Sequence, residues 1–447
     1  MKIYNSIVEK IILPTSDIIL KKSIYKHFKF LQKSQWWQYS DLVDYQNEKL
    51  KKIIHYSFNN IEYYNELFKN NKLTPNDIKS RDDLYKIPIL TKEIIRENIN
   101  KLVNKNYPKS RIIPHKSSGS TGQPMQYYVS KDAYSFNIAA NMRGWYWMGY
   151  RFGDKFVKIS QYSRAKEKQL QDVFLRTKYL SSANLTDDTF ESFLTIFRNF
   201  NPPIIRSYPD PLFFLAKYME KNNIKDIRPK ALTTTGSVLL PSARKLIEKQ
   251  FGCKIFDSYR CEGGPNVFES PNHETYILSM EYGISEILSN NNQVGPGEKG
   301  RHITTDLHNY AMPFIRYDSQ DIVMRGENKC KSGRELETID KVFGRDSDIL
   351  VTPSRKYLIV LHFVDYFDQF KNIKQFQVVQ NKIDNIIIYL SVDDCFGEET
   401  KEKIYIYWKN YIGLDMNLAI KIVDRIEPPV SGKRRFLIRD KSIDLQL

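Results

Sequence analysis

Cysteine is scarce in this chain: Cys253, Cys261, Cys330 and Cys395 are the only four among 447 residues. None forms a CxxC pair, which argues against a disulfide framework and fits a reducing, cytoplasmic setting. Long apolar runs are also missing. The N-terminal patch Ile11-Ile12-Leu13 is cut by Pro14 and Asp17, so it is too short and too broken for a signal peptide or a membrane span. The first thirty residues are basic and weakly amphipathic. They read as a helix docked on the protein's own surface, with peripheral membrane contact as the alternative. There is no internal repeat and no low-complexity segment, which sets aside solenoids and biased linkers. Acidic residues fall short of basic ones, 52 against 68, for a formal charge of +16. Nucleic acid, an anionic membrane or an anionic substrate would each suit that charge. Yet lysine is plentiful throughout, and the densest basic cluster is only Lys433-Arg434-Arg435. A chain-wide lysine preference accounts for the excess, and no nucleic-acid partner is expected.

Hydrophobic residues make up 41% and aromatics 13%, enough for a large core and more than one domain. Residues 35–110 show apolar positions at helical spacing (Leu42, Leu50, Ile53, Ile54, Tyr64, Phe68), with helix starts at Thr74-Pro75 and Thr91. From about 110 to 325 strand-like runs (156–160, 204–208) alternate with helical patterns (Thr189 to Phe200, Pro211 to Lys221, Pro241 to Phe251). This alternation predicts an α/β sheet with crossover helices. Strand pairs follow over 283–325, turning at Asn290–Asn292 and Gly295-Pro296-Gly297. The last hundred residues read as a separate α+β module: strands at 348–352, 376–380, 385–392 and 418–422, a helix over 398–411, and an ambiguous strand or helix at 357–370. The expected fold is a large multi-subdomain α/β domain over 1–345, helical in 1–110, and a small α+β lid over 346–447.

Five segments can carry chemistry. Ser117-Ser118-Gly119-Ser120-Thr121-Gly122-Gln123-Pro124 alternates hydroxyls with glycines, a composition that lets N–H and O–H donors converge on an anion. It is not a Walker loop, since no Gly-Lys-Ser/Thr follows. Asp257-Ser258-Tyr259-Arg260-Cys261-Glu262-Gly263-Gly264 follows the strand-like run 254–256; an aromatic there can stack on a base, and an acid three residues on can hold magnesium against phosphates. Gly300-Arg301-His302-Ile303-Thr304-Thr305-Asp306-Leu307 continues to Met312-Pro313-Phe314-Ile315-Arg316-Tyr317 and on to Asp321, whose carboxylate suits ribose hydroxyls. Gly344-Arg345-Asp346-Ser347-Asp348 reads as a hinge, and Ser431-Gly432-Lys433 offers a lysine on a glycine turn. Taken singly, each is equally a surface turn, a cap or a solvated basic run.

Their order resembles the adenylate-forming superfamily of acyl-CoA synthetases, luciferases and nonribosomal-peptide adenylation domains. Ile53-Ile54-His55-Tyr56-Ser57 with Tyr63-Tyr64, and the run from Ile89 to Asn98, are similar to the phenylacetate–coenzyme A ligase-like group, which includes capsule- and cell-wall-associated ligases. The resemblance covers roughly 35–440. It implies ATP-dependent activation of a carboxylic acid as an acyl-adenylate, then transfer to a thiol such as coenzyme A or to an amine, by a monomer or homodimer. Ser117, Ser118, Gly119, Ser120, Thr121 and Gly122 would wrap the ATP phosphates, with Thr121 counted as catalytic. Gly236 and Ser237 would border adenine, Ser258, Tyr259 and Arg260 would flank it, and Glu262 would bind magnesium. Asp321 and Arg345 would hold the ribose, and Lys433 would contact the carboxylate and α-phosphate.

Arg260 and Cys261 stand where glycine and Thr or Ser are usual, Gln123 replaces a common lysine, Gln320 a glycine, and Ser347 an aspartate. No charged catalytic group is lost. Some relatives hold a structural zinc near the Tyr-x-x-Glu segment; Cys253, Cys261 and His273 do not make four ligands, and no zinc is expected. Trp145, Tyr146 and Trp147 wall an acyl pocket in one reading and are plain core in the other. Competing readings are a non-catalytic nucleotide- or partner-binding homologue, and a basic nucleic-acid-binding protein with salt-sensitive affinity.

Overall fold

The structure is a computed structural model. It describes residues 2–116, 125–160, 173, 175–182, 185–327, 330, 332–345, 349–354, 356–359, 363, 366–367, 369–427, 435–440 and 442–443. The chain divides into two compact units, one holding 1–288, 292–319 and 323–342, the other 343–447 with 289–291 and 320–322.

The first unit begins with helices: α1 (Lys2–Ile7), a π turn (Val8–Ile12), α2 (Leu13–Leu20), α3 (Ile24–Ser34), α4 (Tyr39–Asn60), α5 (Glu62–Asn70) and α6 (Lys92–Leu102). Thr91 caps α6 by accepting from the Ile94 N–H at 3.3 Å, as its residue type foretold. Thr74-Pro75 starts only a short 3-10 turn, Pro75–Asp77, closed by a capping box. A hairpin, β1 (Ile112–Lys116) and β2 (Gln126–Ser130), leads into α7 (Lys131–Trp147).

Next come β3 (Phe156–Ser160), β4 (Thr177–Ser181), α8 (Asp187–Phe200), β5 (Ile204–Ser207), α9 (Pro209–Lys221), β6 (Ala231–Thr235), α10 (Pro241–Phe251) and β7 (Lys254–Tyr259). The strands pair in parallel in the order β4-β3-β5-β6-β7. Each crossover helix has local punctuation. Thr186 caps α8, whose first turn carries Asp187 and Asp188, and the helix stops at Asn201 with φ +45°; Gly252 ends α10 in the same left-handed region. The central strands β5, β6 and β7 are almost wholly buried, as a sheet covered on both faces requires.

From β7 the sheet continues through β8 (Val267–Glu269), β9 (Tyr276–Leu278), β10 (Gly283–Ser289), β11 (Asn292–Gln293), β12 (Lys299–Asp306), β13 (Tyr317–Arg325) and β14 (Thr338–Arg345). The full order among the described residues is β11-β10-β12-β13-β14-β9-β8-β7-β6-β5-β3-β4. Asn290 and Asn291, at φ +49° and +64°, make the β10–β11 turn, which suits asparagine's tolerance of the left-handed region. Val267, Leu278, Ile287, Val294, Val323 and Ile339 share one apolar cluster, so this half of the sheet wraps around an interior of its own.

The Met312–Tyr317 motif proves to be a clamp between the helices and the sheet. Arg316 takes φ +52° and pairs with Glu286 at 3.0 Å while donating to the carbonyl of Ile87 at 2.7 Å. Tyr64 Oη donates to the Pro313 carbonyl and accepts from the Ile315 N–H, at 2.9 and 3.1 Å.

The second unit has β15 (Ile349–Val351), β16 (Tyr357–Ile359), β17 (Ile373–Lys382), β18 (Asn385–Val392), α11 (Glu398–Ile412), β19 (Asn417–Ile422) and β20 (Leu437–Arg439). The ambiguous 357–370 run is thus a strand at its start. Four strands pair in the order β19-β18-β17-β20, and α11 crosses between the parallel β18 and β19. Trp408 of α11 is fully buried and stacks on Phe363 at 4.1 Å.

Candidate active site

Parallel pairing sets the first part of the site. Thr235 and Ser258 are register partners at the carboxyl ends of β6 and β7, where open α/β sheets bind ligands. The chain therefore leaves the sheet at two adjacent points, through Gly236-Ser237 and through Tyr259-Arg260. Gly236 takes φ +86°, and both it and Ser237 are exposed. Ser258 faces inward: its hydroxyl donates to the Thr234 carbonyl at 2.7 Å and is buried. Any contact it makes with a ligand falls to its backbone.

Tyr259 is half-buried and held from behind. Its hydroxyl lies 3.0 Å from His302 Nδ1, and His302 Nε2 lies 2.6 Å from Ser285 Oγ. His302 is on β12, far from β7 in sheet order, so the curl of the sheet brings the two together. Burial pushes His302 down to about 3, leaving a neutral ring with one donor and one acceptor to share between two hydroxyls. The sequence singles out the Gly300–Leu307 segment that contains His302 but gives His302 no role. It lies inside β12, and no local pattern shows that its partner is Tyr259.

Below Tyr259 lies a buried acid. Asp257 accepts from Thr234 Oγ1 at 2.6 Å and Tyr276 Oη at 2.9 Å, and burial raises it to about 6. The neighbouring Glu269 pairs with Arg244 at 3.0 Å and accepts the Asp257 N–H at 2.7 Å. This network fixes the end of β7.

After Tyr259 the chain turns sharply. Arg260 is exposed, Cys261 buried and Glu262 half-buried. Gly263 takes φ +64°, and a Cβ there would be driven into the Phe314 ring; one on Gly264 would meet Cys261 Sγ and Thr304. The glycine pair is thus required both by conformation and by close approach.

This turn forms one wall of a cavity of about 400 Å³, its open mouth included. His115 and Tyr127, register partners on the β1–β2 hairpin, form a second wall, and Tyr134 and Asn137 of α7 a third. Tyr282, Asp306 and Asn309 close it. Tyr282 Oη donates to Asp306 Oδ2 at 2.8 Å, and Asp306 also accepts the N–H groups of His308 and Asn309 at 2.7 and 2.9 Å. Burial nonetheless raises Asp306. Burial likewise pushes Tyr127 up to about 12. Burial first, then the Arg260 charge, lowers His115, whose buried Nε2 has no hydrogen-bond partner among the described residues. The Arg260 charge also acts on Tyr127, Tyr282 and Asp306, so it points its field into the cavity. His115 and Tyr282 were not legible as site residues in the sequence, and Asp306 stood in a singled-out segment without a role.

The aromatic run is core. Trp145 packs on Phe156 at 5.2 Å and Tyr146 on Phe28 at 4.7 Å, Trp147 Nε1 donates to Gln35, and none of the three lines the cavity. The wall comes from earlier on the same helix, because α7 turns only its first half toward the hairpin.

Asp321 is a buried residue of β13, and Gln320 before it takes φ +62°, the conformation for which glycine is the usual choice. Arg345 ends β14, the strand beside β13. Ser117, Ser118, Gly119, Ser120, Thr121, Gly122 and Lys433 lie outside the described residues. The hairpin does pair Lys116 with Gln126, so both ends of the hydroxyl-rich segment start from the His115–Tyr127 wall.

Comparison with known proteins agrees with this architecture. A family model described as the CapK C-terminal domain matches residues 350–440. Over 434 residues the chain is 25% identical to Protein CapK of Staphylococcus aureus, covering 95% of this chain and 94% of that one. It is 22% identical to the phenylacetate–coenzyme A ligase of Pseudomonas putida over 69% of this chain and 72% of that one. Among solved structures, 2-hydroxyisobutyryl-CoA ligase in its postadenylation state superposes with a TM-score of 0.72 at 16% identity, over 92% of this chain and 93% of that one. The fold, a large α/β unit and a small second unit, is that of adenylate-forming ligases. Together with the sequence similarity to CapK and to the phenylacetate–coenzyme A ligases, this fold supports the adenylate-forming, acyl-CoA synthetase-like ligase superfamily.

Proposed function

We propose that this ligase uses ATP to convert a carboxylic acid into an acyl-adenylate and passes the acyl group to a thiol, coenzyme A, or to an amine. The observation that carries the reading is the cavity where the His115–Tyr127 hairpin meets the Arg260–Gly264 turn, which follows Tyr259 directly. In the first step a carboxylate oxygen attacks the α-phosphorus, the new O–P bond forms, and the bond to pyrophosphate breaks. Negative charge grows on the phosphoryl oxygens, so fixed donors and cations lower the barrier. Tyr259, its hydroxyl anchored on His302, offers a pre-oriented face to adenine. Ser117–Gly122 would supply N–H and O–H donors to the phosphates, and Asp321 with Arg345 would take the ribose. Lys433 would neutralise the carboxylate and α-phosphate. Glu262 fits magnesium, a hard ion that takes one or two carboxylates and fills its shell with phosphate and water. Magnesium would supply positive charge to the departing pyrophosphate.

The lining also suggests the acid. His115 Nε2, buried and without a partner among the described residues, and the Arg260 charge beside it favour a small, hydrogen-bonding acid over a plain aryl acid, because an apolar ring would leave the imidazole nitrogen unpaired. The capsule-associated members of the resembling group make an amine on a sugar a reasonable acceptor, in surface polysaccharide formation. The test is acid-dependent exchange of labelled pyrophosphate into ATP across matched hydroxy, amino, aryl and fatty acids. Exchange with a polar acid that disappears in Glu262→Gln supports the reading; ATP binding without exchange for any acid refutes it and favours a non-catalytic homologue.

A further inference from the structure

Helix α1, the π turn and α2 run as one arm over residues 2–20. Its inner side is anchored. Val8 and Leu13 are buried in a cluster with Phe28, Leu31, Phe136 and Phe152. Asn5 Nδ2 donates to Asp154 Oδ1 at 2.7 Å, and Asp17 accepts the Tyr25 N–H at 2.7 Å. This is the docked surface helix that the sequence suggested.

The outer side is unlike an ordinary solvated face. Ile3, Ile7 and Ile11 follow at four-residue steps and Ile18 and Ile19 continue the line. Ile3 is 80% exposed, Ile11 60%, Ile18 79% and Ile19 73%. Residues four apart lie on the same side of a helix, so these side chains form a stripe roughly 24 Å long at 1.5 Å per residue. Scattered exposed apolar residues need no explanation, but a contiguous stripe marks a contact surface.

Charge identifies the occupant. The first 33 residues hold seven lysines against two acids, Glu9 and Asp17, and both acids are turned inward. Asp17 is buried on the Tyr25 N–H, and Glu9 accepts from Tyr146 Oη at 3.4 Å. Lys10, Lys21, Lys26, Lys29 and Lys33 are exposed. A second copy would bring the same lysines to the contact, which like-charge repulsion opposes. An anionic bilayer offers both things the arm lacks, an apolar layer for the isoleucines and phosphates for the lysines. No helix among the described residues is long and apolar enough to cross a membrane, so the arm would lie in the interface plane.

We propose that residues 2–20 dock this protein on an anionic lipid surface, with Ile3, Ile7, Ile11, Ile18 and Ile19 entering the acyl boundary and Lys10 and Lys21 meeting the headgroup phosphates. The experiment is flotation of the full chain with vesicles of phosphatidylcholine alone or with roughly 30% phosphatidylglycerol, an anionic lipid that attracts basic segments, at low and high salt. The expected result is binding to the anionic vesicles that weakens with salt. Ile7→Asp/Ile18→Asp should cut it more than tenfold, and Lys10→Glu/Lys21→Glu should cut it on anionic vesicles alone. The thermal midpoint should hold in both variants, since all four side chains are exposed. Equal binding to neutral and anionic vesicles, no flotation at all, or binding indifferent to the isoleucine changes would overturn the proposal. So would a concentration-dependent dimer that Ile7→Asp/Ile18→Asp abolishes, which would assign the stripe to a second copy.

Discussion

Replacing His302 with phenylalanine separates the geometry of the proposed nucleotide site from the stability of its support. The imidazole bridges Tyr259 Oη at 3.0 Å and Ser285 Oγ at 2.6 Å. His302→Phe keeps the bulk and removes both partners. Ser285 is buried and cannot turn to water, so its orphaned hydroxyl costs about 1–3 kcal/mol. Half-buried Tyr259 can rehydrate, but its ring loses the bond that orients it. Fixing a freed side chain again on binding costs about 0.5–1.5 kcal/mol, which weakens ATP binding by roughly two- to thirteen-fold. Tyr259→Phe cuts the same bond and should weaken ATP by a similar factor. The double variant should then bind ATP no worse than either single one, since the bond can be lost only once. Calorimetric titration with ATP, alongside urea unfolding, reads both quantities. Additive losses of ATP affinity in the double variant, or unchanged affinity in both single variants, would refute a shared orienting bond. Acid unfolding gives an independent check. His302 titrates near 6.5 when unfolded and is held to about 3 when folded. Between those values the unfolded chain binds a proton that the folded one refuses, so stability falls with acidity by up to ~1.4 kcal/mol per pH unit. His302→Phe should flatten that limb.

Gly263→Ala must place a Cβ at φ +64° against the Phe314 ring; it should lower stability by about 1–3 kcal/mol and abolish pyrophosphate exchange, measured against Gly397→Ala, where the added Cβ meets open space. Arg143→Met strips a fully buried Glu281 of its partner at 2.7 Å, so urea unfolding should show a loss of about 3–5 kcal/mol, largely restored by Arg143→Met/Glu281→Leu. Lys433→Ala should collapse adenylation while sparing transfer from a preformed acyl-adenylate; equal loss in both half-reactions, followed by separate assays, would contradict the assigned role. Gln320→Ile places a β-branched residue at φ +62° and should cost about 1–2 kcal/mol in thermal unfolding, whereas Gln320→Gly should be tolerated.

The sequence by itself determined the order of the chemical segments and most of the local elements. Pro241–Phe251 and Asn385–Val392 fold as their patterns foretold, because helix caps and β-branched alternation act within a few residues. The parallel run β3 to β7 followed from the same signals, since alternating strands and helices leave few other ways to bury both. The tertiary structure alone decided what meets across the curled sheet. His302 supports Tyr259 from a strand distant in sheet order, and His115, Tyr282 and Asp306 converge on the cavity from the hairpin, β9–β10 and β12. Arg316, conspicuous in its motif, is spent on Glu286 and the Ile87 carbonyl, and Trp145, Tyr146 and Trp147 are spent on the core. The N-terminal isoleucines show the same limit. Periodicity gives each side chain a face, but which face finds a partner depends on packing between segments far apart in the chain, and no local pattern encodes that.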